Sequence, residues 1–275
     1  VVFSISAVFA VSPKHDQILG KRTITNNQLT FNNNRTAMTV CDTLKNFSAT
    51  DTISLYTNPA GGYVGGQNSF GDIGKVEKYT GVAAGSSVSG VLILFGFASA
   101  ANGTDTFSVK VWDGASGTPG NVLADASYTY QNATADAAQP VFSVISFTSP
   151  AIVPSSFFTG VQFEYVAGDT IAVTSSQDGS VTPATAWELW ADGTTWHSFT
   201  DSQSWGLAVS NVILPIVCAP DGIENVAYDS KFAIFPTITS EKLNLIITPA
   251  SDKVQITVTD LSGSVVLTKQ VNTLS

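Results

Sequence analysis

The segment DTFSVKVWDG, residues 105–114, decides the fold class because its apolar and polar side chains alternate. Phe107, Val109 and Val111 fall on one side of an extended chain, whereas Lys110 falls on the other. A period of two is typical of a β-strand that turns one face toward a core. The segment therefore predicts a half-buried strand, and similar segments extend this prediction to most of the chain.

Short alternating segments separated by Gly, Asn and Asp turns recur eight or nine times between Thr39 and Cys218. They include TISLYT, SSVSGVLILFGFAS, ASYTYQN, FSVISFTSP, FTGVQFEYVAGDTIAVTSS, TAWELWADG and WGLAVSNVILPIVC. Only GDIGKVEKYTG, residues 71–81, has a pattern compatible with a helical turn. So many short strands favour two antiparallel sheets. We therefore predict an all-β fold, with a jelly-roll-type two-sheet β-sandwich over residues 39–219.

A second series of strands follows a polar connector over residues 220–231. Apolar residues alternate in EKLNLII and in VQITVT, and the tetrapeptide DLSG separates the second run from VVLTKQ. Asp260 can accept backbone N–H groups and Gly263 tolerates a positive φ, so these two runs are predicted to form a hairpin. A hairpin needs further strands beside it, so residues 232–275 are predicted to be part of a second, small and incomplete β-domain.

Residues 232–271, FAIFPTITSEKLNLIITPASDKVQITVTDLSGSVVLTKQV, resemble the C-terminal sorting domain of type IX secretion system cargo. The shared features are the entry at Phe235 and Pro236, the EKLNL strand and the DLSG hairpin. The resemblance implies a small immunoglobulin-like β-sandwich over residues 232–275, truncated because the family's closing Gly-x-Tyr strand and basic last residues are absent. It also implies contact with the type IX secretion machinery and a secreted or outer-membrane-anchored location at the surface of a Gram-negative bacterium.

The larger domain has a resemblance of its own. CDTLKNFSATDTISLYT, GGYVGGQNSFGDIGKVEKYT and VKVWDGASGTPGNVLADASYTY are similar to an extracellular jelly-roll module that often precedes such sorting domains. This resemblance implies an architecture, and no catalytic residue is carried over from it.

The N-terminal residues 1–11, VVFSISAVFAV, are apolar but shorter than the roughly 20 residues that a membrane-spanning helix needs. We predict the remnant of a signal peptide with cleavage after Ala10, and the alternative is a buried first strand. The polar, Asn-rich residues 12–38 are predicted to be a flexible leader. No other segment is apolar for long enough to cross a membrane, so the sequence does not predict an integral membrane protein.

Charge narrows the choice of partners. The chain has 12 Lys and Arg residues against 21 Asp and Glu residues, a formal net charge of -9. This field repels phosphate backbones, so nucleic acid is not a predicted partner.

The two cysteines, Cys41 and Cys218, lie near the two ends of the larger predicted domain. In an exported protein they either form one disulfide or remain two separate buried thiols.

Few residues offer catalytic chemistry. His15 lies in the predicted leader and His197 stands between Trp196 and Ser198, where a strand residue with a hydrogen-bonded ring is expected, so no Ser-His-Asp triad is predicted. No cysteine cluster has metal-site spacing, and no cofactor is predicted. Glu164 and Glu188 lie beside aromatic residues and would suit a carbohydrate-active hydrolase that uses paired carboxylates. The alternative, which we favour, is that both face water and the protein is not an enzyme.

The Gly-rich segment AGGYVGGQNSFGD, residues 60–72, lacks the Lys-Ser/Thr pair of a phosphate-binding loop. It is predicted to be a turn-rich loop in which Asn68 and Asp72 cap their own backbone. A structural calcium ion held by this loop is the alternative.

Four of the five tryptophans lie in WELWADGTTWHSFTDSQSW, residues 187–205. Exposed Trp faces stack on sugar rings while polar neighbours bind the hydroxyls. We therefore predict a non-catalytic binding, adhesion or structural module, with a glycan as the candidate ligand of this segment. For the rings themselves the interpretation that we favour is packing in the core and rim of the sandwich. The predicted binding residues are Trp190, Trp196, Trp205, Asp192 and Gln203.

Overall fold

Antiparallel β-sheet accounts for nearly all of the regular structure, which confirms the all-β prediction. The computed structural model describes residues 14, 17, 19–24, 41–219, 232–235, 244–247, 253–259 and 264–272. The chain divides into two compact units, Val1–Asp221 and Gly222–Ser275. The predicted signal-peptide remnant over residues 1–11 lies outside the described residues.

The described strands of the first unit are, in chain order, β1 (Gly20–Thr23), β2 (Asp42–Thr43), β3 (Ser54–Thr57), β4 (Gly74–Thr80), β5 (Ser87–Ile93), β6 (Phe95–Ser99), β7 (Thr106–Asp113), β8 (Val122–Thr129), β9 (Ser143–Ile152), β10 (Ser156–Gln162), β11 (Thr170–Val173), β12 (Ala186–Leu189), β13 (Trp196–Ser198) and β14 (Ile213–Cys218). One short helix, α1 (Tyr130–Ala138), joins β8 to β9. No helix within the described ranges is long and apolar enough to span a bilayer.

Two sheets face each other across the main core. One has the strand order β13-β12-β4-β10-β7-β8 and the other has the order β2-β14-β5-β9, while β11 and β6 form a pair beside them. Phe107, Val109 and Val111 of β7 are all buried, as the alternation predicts, and pack in one cluster with Val91 of β5 and Ile213 of β14. The first unit is therefore a β-sandwich whose two sheets share an apolar core.

Residues 71–81 were the one segment in which the sequence predicted a possible helical turn, and this prediction is wrong. Residues 74–80 instead form a strand between β10 and β12. Lys75, Glu77 and Tyr79 are on one face of it, and none is more than 2% exposed. The charges that interrupt the apolar pattern therefore lie inside the protein.

Helix α1 was not predicted, because ASYTYQN was interpreted as strand throughout. Strand β8 ends at Thr129, whose hydroxyl accepts a hydrogen bond from the backbone N–H of Asn132 and caps the helix. Tyr130 and Ala133 then turn into the main core, with the Tyr130 ring 5.1 Å from that of Phe107. Capping by a threonine and burial of one helix face stabilise this turn of the chain.

The N-terminal part of the first unit is more ordered than the sequence predicts. Within the predicted flexible leader of residues 12–38, β1 pairs antiparallel with β3, and Lys14 is only 6% exposed. The prediction of a flexible leader is therefore wrong for these residues, while the described residues do not include 25–38.

Cys41 and Cys218 form a disulfide with an S–S distance of 1.99 Å and a sequence separation of 177. Cys218 ends β14, and Cys41 directly precedes β2, which pairs with β14. The bond therefore joins neighbouring strands of the four-stranded sheet, and of the two alternatives the structure shows the disulfide.

The second unit contains two antiparallel pairs among its described residues. Strands β15 (Phe232–Phe235) and β16 (Asn244–Ile247) form one pair, and β17 (Lys253–Thr259) and β18 (Val265–Asn272) form the other. The second pair comprises the two strands predicted on either side of DLSG, although the turn itself lies outside the described residues.

Candidate functional site

Four charged side chains form a closed ring in the interior of the first unit, which we call the ion ring: Lys14, Asp72, Lys75 and Glu188. Each carboxylate contacts both ammonium groups with a different oxygen. Asp72 contacts the Nζ atoms of Lys14 and Lys75 at 2.7 Å each, and Glu188 contacts them at 2.6 and 2.7 Å. All four side chains are 6% exposed or less, and the two charges of each sign cancel.

The fold assembles this ring from three distant segments. Lys75 and Glu188 are direct partners in the register of β4 and β12, so their side chains lie next to each other on one face. Asp72 lies in the loop before β4, and Lys14 comes from the N-terminal segment. No local sequence pattern links these segments.

Glu188 accepts five hydrogen bonds from the residues that the structure describes. In addition to the two ammonium groups, it accepts from Trp190 Nε1 at 2.9 Å, Ser204 Oγ at 2.9 Å and Trp205 Nε1 at 2.6 Å. Burial alone would raise the pKa of Glu188, but the two ammonium groups outweigh this and lower it. The carboxylate therefore stays ionised and has no oxygen turned to solvent.

The predicted carboxylate pair does not form a hydrolytic site. Glu188 is 0% exposed, whereas Glu164 is exposed in the loop that follows β10 rather than on a strand. A general acid must be able to reach a substrate oxygen, and Glu188 is enclosed by its own donors. The geometry gives the hydrolase alternative no support.

The predicted tryptophan face is not a single surface. Trp205 is 2% exposed and belongs to a buried cluster with Phe199, so it cannot stack on a sugar. Trp190 reaches Glu188 of the ion ring, while Trp196 packs edge-on against Trp112 at 5.7 Å in another cluster. The alternative of core and rim packing describes these rings, and the predicted binding set of Trp190, Trp196 and Trp205 is wrong as one face.

The two predicted polar partners serve their own loops. Asp192 accepts hydrogen bonds from the backbone N–H groups of Thr194 and Thr195 at 2.8 Å each and from the hydroxyl of Thr195. These bonds lower the pKa of Asp192 to about 2. Gln203 is exposed and its backbone N–H donates to Asp201 at 2.9 Å. Asp192 thus caps the turn in which it lies, and Gln203 lies in a different turn.

His197 has the structural role that the sequence predicts. Its Nδ1 lies 3.0 Å from an Asp201 carboxylate oxygen, and its ring stacks on Trp190 at 4.2 Å between centroids. The backbone N–H of Gln203, followed by the His197 ring, lowers the pKa of Asp201. His197 therefore orients the Trp190 ring that borders the ion ring.

The Gly-rich loop of residues 60–72 lies flat against β11. A Cβ atom at Gly65 or Gly66 would collide with the carbonyl oxygens of Val173 and Ile171, so only glycine permits this approach. Asn68 Oδ1 accepts from the N–H of Phe70 at 3.0 Å, which confirms its predicted capping role. The predicted capping role of Asp72 is wrong, because its carboxylate is part of the ion ring.

An open groove lies beside this loop, with a volume of about 390 Å³. We call it the aromatic groove; six of its lining residues are Tyr63, Asn68, Phe97, Tyr165, Asp169 and Thr170. Tyr63 and Phe97 stack at 5.1 Å, and Phe97 and Tyr165 are 37% and 48% exposed. Exposed aromatic faces next to the hydroxyl groups of Ser69 and Thr170 are typical of a ligand site, whereas the Asn68 and Asp169 side chains are 6% and 3% exposed and support the wall. No local sequence pattern reveals this groove, because its three aromatic rings are far apart in the chain.

The aromatic groove and the ion ring share supporting residues. The Tyr165 hydroxyl accepts from the N–H of Asn68 at 2.9 Å and donates to the carbonyl of Asp72 at 2.9 Å. The Asn68 side-chain amide donates to Asp72 Oδ2, also at 2.9 Å. The ion ring therefore holds in place the loop that forms one wall of the groove.

A further buried carboxylate, Glu77, lies two residues beyond Lys75 on β4. It accepts hydrogen bonds from Asn46 Nδ2 at 2.7 Å, Ser210 Oγ at 2.7 Å and the N–H of Asn211 at 2.8 Å. Burial nevertheless raises its pKa to about 7. Between its ordinary value of 4.5 and about 7, the folded protein keeps a proton that the unfolded chain has lost. The contribution of Glu77 to the free energy of unfolding is therefore fully present below pH 4.5 and decreases as the pH rises toward 7.

The first prediction concerns this residue. Glu77→Gln is expected to remove about 3 kcal/mol of pH dependence in the free energy of unfolding between pH 4.5 and 8. The Gln oxygen can still accept from Asn211, and its amide can donate to Ser210 if Asn46 reorients. Urea unfolding across this pH range measures the slope, with the exposed Glu164→Gln as control. An unchanged slope in Glu77→Gln would contradict the prediction.

Comparison with family models, with curated proteins and with solved structures found no match to this chain. Among the described residues, no group of three or more His, Cys, Asp or Glu side chains is placed to hold a metal ion. The function proposed for this protein therefore rests on the geometry of its own residues and on its sequence.

Proposed function

We propose that the protein is a secreted or cell-surface β-sandwich protein of the type IX secretion pathway that binds a glycan without catalysis. The ligand occupies the aromatic groove rather than the tryptophan segment. The single observation that carries the proposal is the open groove in which exposed Phe97 and Tyr165 stand beside polar side chains.

The chemistry of the groove favours a sugar. Pyranose rings have apolar faces that stack on aromatic rings, and their hydroxyls bind to carboxylate, amide and hydroxyl groups. Ser69, which is exposed, and Thr170, which is half-buried, supply hydroxyl groups along the groove. The net charge of -9 disfavours a polyanionic ligand, so a neutral polysaccharide is the best-matched class.

The delivery part of the proposal rests on the sequence resemblance of residues 232–271. The division of the chain near residue 221 and the two antiparallel strand pairs that follow support a separate β-domain there. In this proposal the second unit contacts the secretion machinery, and the first unit, a jelly-roll module, carries the binding function.

The second prediction tests the groove. Phe97→Ala is expected to weaken binding to the best ligand from a panel of neutral polysaccharides by roughly ten-fold, the loss of about 1.5 kcal/mol of stacking. Tyr165→Ala is expected to weaken it at least as much, since it also removes the hydroxyl that holds Asn68. Affinity electrophoresis followed by calorimetry measures the dissociation constants.

Matched controls separate the groove from other surfaces. Ile152→Ala removes a side chain that is 64% exposed and is not among the groove residues, so it should bind as the wild type does. Trp196→Ala tests the tryptophan segment and is also expected to retain binding. Loss of binding in Trp196→Ala with none in Phe97→Ala would contradict the proposed site, and release of reducing ends from the polysaccharide would contradict the non-catalytic function.

A further inference from the structure

The ammonium group of Lys14 has the surroundings of a bound ligand. Its Nζ atom lies 5.3, 4.9 and 5.2 Å from the ring centroids of Phe70, Trp190 and Trp205. The same atom is 2.7 Å from Asp72 Oδ1 and 2.6 Å from Glu188 Oε1. Three aromatic rings and two carboxylates around one cation combine cation–π attraction with charge-assisted hydrogen bonds.

The walls of this site are held by contacts that do not involve Lys14. Glu188 is fixed by Lys75, Ser204 and Trp205, with Nε1 of Trp205 at 2.6 Å. Asp72 is fixed by Lys75 and by Asn68 at 2.7 and 2.9 Å. With Lys14 withdrawn, two carboxylates would share the single ammonium of Lys75. The empty site would therefore keep its shape and leave two carboxyl groups facing one ammonium group.

The Phe70 wall is also supported independently of Lys14. Its ring makes an edge contact with Trp205 at 5.6 Å between centroids. The loop that carries Phe70 is capped by Asn68. Lys14, in contrast, belongs to a segment that is 58 residues from Asp72 and 174 residues from Glu188 in the sequence.

We propose that this pocket, formed by Phe70, Asp72, Glu188, Trp190 and Trp205, is a binding site for a primary alkylammonium group that Lys14 occupies in cis. The same pocket would accept the lysine side chain of another polypeptide segment or a free alkylamine when Lys14 is withdrawn. This inference is independent of the glycan proposal, because none of its five residues is among those that line the aromatic groove.

Selectivity follows from the short contacts. Nitrogen to oxygen distances of 2.6 and 2.7 Å require N–H donors directed at both carboxylates and leave no space for methyl groups between the atoms. The pocket is therefore expected to take a primary ammonium and to reject a quaternary one, although aromatic rings alone would accept either.

The third prediction uses Lys14→Ala in the full chain. Butylammonium, which has the four carbons and the ammonium group of a whole lysine side chain, is expected to bind this variant at least roughly ten-fold more tightly than it binds the wild type, where Lys14 fills the pocket. It is also expected to raise the melting temperature of the variant, whereas butyltrimethylammonium is not. Calorimetry and thermal unfolding measure the two effects. N-acetyl-lysine methylamide, added in a parallel titration, distinguishes a peptide lysine from a small amine.

Two further variants make the result decisive. Lys14→Met fills the pocket without a charge and should not respond to butylammonium, and Lys21→Ala removes an exposed lysine of β1 and should behave as the wild type. If Lys14→Ala does not fold alone, refolding with butylammonium should recover soluble protein that butanol does not recover. Equal responses of the wild type and Lys14→Ala, or no recovery with butylammonium, would overturn the proposal.

Discussion

Lys75→Met is expected to lower the free energy of unfolding of the first unit by about 3–5 kcal/mol, the usual cost of removing one partner from a buried ion pair. Lys75 is 0% exposed and bridges Asp72 and Glu188 at 2.7 Å each. Methionine has a similar length but no charge, so the two carboxylates would remain buried with only Lys14 to compensate them. Although burial alone would lower the pKa of Lys75, the carboxylates of Asp72 and Glu188 raise it, so the wild-type group stays charged.

Urea unfolding at neutral pH measures this loss. The control is Lys110→Met, which removes a lysine from an ion pair with Asp125 at 3.7 Å at the partly exposed edge of the same sheet. A pair of this kind contributes less than about 1 kcal/mol. A loss in Lys75→Met no larger than that in Lys110→Met would show that the ion ring does not stabilise the fold.

A double variant tests whether the four charges act as one unit. Lys75→Met combined with Asp72→Asn leaves Lys14 facing Glu188, which restores neutrality. The double variant is therefore expected to be more stable, by at least about 1 kcal/mol, than the sum of the two single losses predicts. Strict additivity would indicate that the side chains contribute separately.

The sequence predicts the sheets because their signal is local. Alternation in β7 identifies the strand and its buried face, and the runs around DLSG identify the β17 and β18 pair. The same rule fails on β4, where Lys75 and Glu77 interrupt the apolar pattern and a helical turn was expected. The sequence pattern of a strand with a polar face is the same whether that face contacts solvent or a buried network of polar side chains. Only the side chains that contact the face distinguish the two cases.

Those partners lie far away in sequence. Lys14 is 174 residues from Glu188, and nothing in its neighbourhood distinguishes it from a solvated lysine of a polar leader. The sequence correctly predicts that Glu188 lies on a strand. The alternation of side chains along that strand does not reveal, however, which of its two faces is buried. The burial of Lys14 explains why the prediction of a flexible segment is wrong there.

The candidate binding site was harder to predict than the fold. Because four of the five tryptophans lie in residues 187–205, the sequence favoured this segment as the binding site. Large aromatic rings bury the most apolar area, however, and Trp205 lies in the interior. Tyr63, Phe97 and Tyr165 come from the Gly-rich loop, β6 and the loop after β10. Pairing of β6 with β11, and packing of the loop against β11, bring them together. Such a site becomes visible only when the strand order is known.

Replacing both cysteines, as Cys41→Ser with Cys218→Ser, is expected to lower the free energy of unfolding by about 2–5 kcal/mol. The disulfide closes a loop of 177 residues, for which the chain-entropy model gives about 5 kcal/mol as an upper figure. The native contacts near the bond are sparse, because β2 has only two residues paired with β14. The double substitution avoids a lone reactive thiol, and urea unfolding of the oxidised wild type provides the reference.

Reduction gives an independent measurement of the same quantity. A reducing agent should destabilise the wild type by the same amount and leave the double serine variant unchanged, since that variant has no bond to break. The loss should appear as a lower urea midpoint for the first unit, because the bond lies wholly within it. A loss below about 1 kcal/mol in both experiments would contradict the prediction and would indicate that the unfolded chain keeps these two ends close together without the bond.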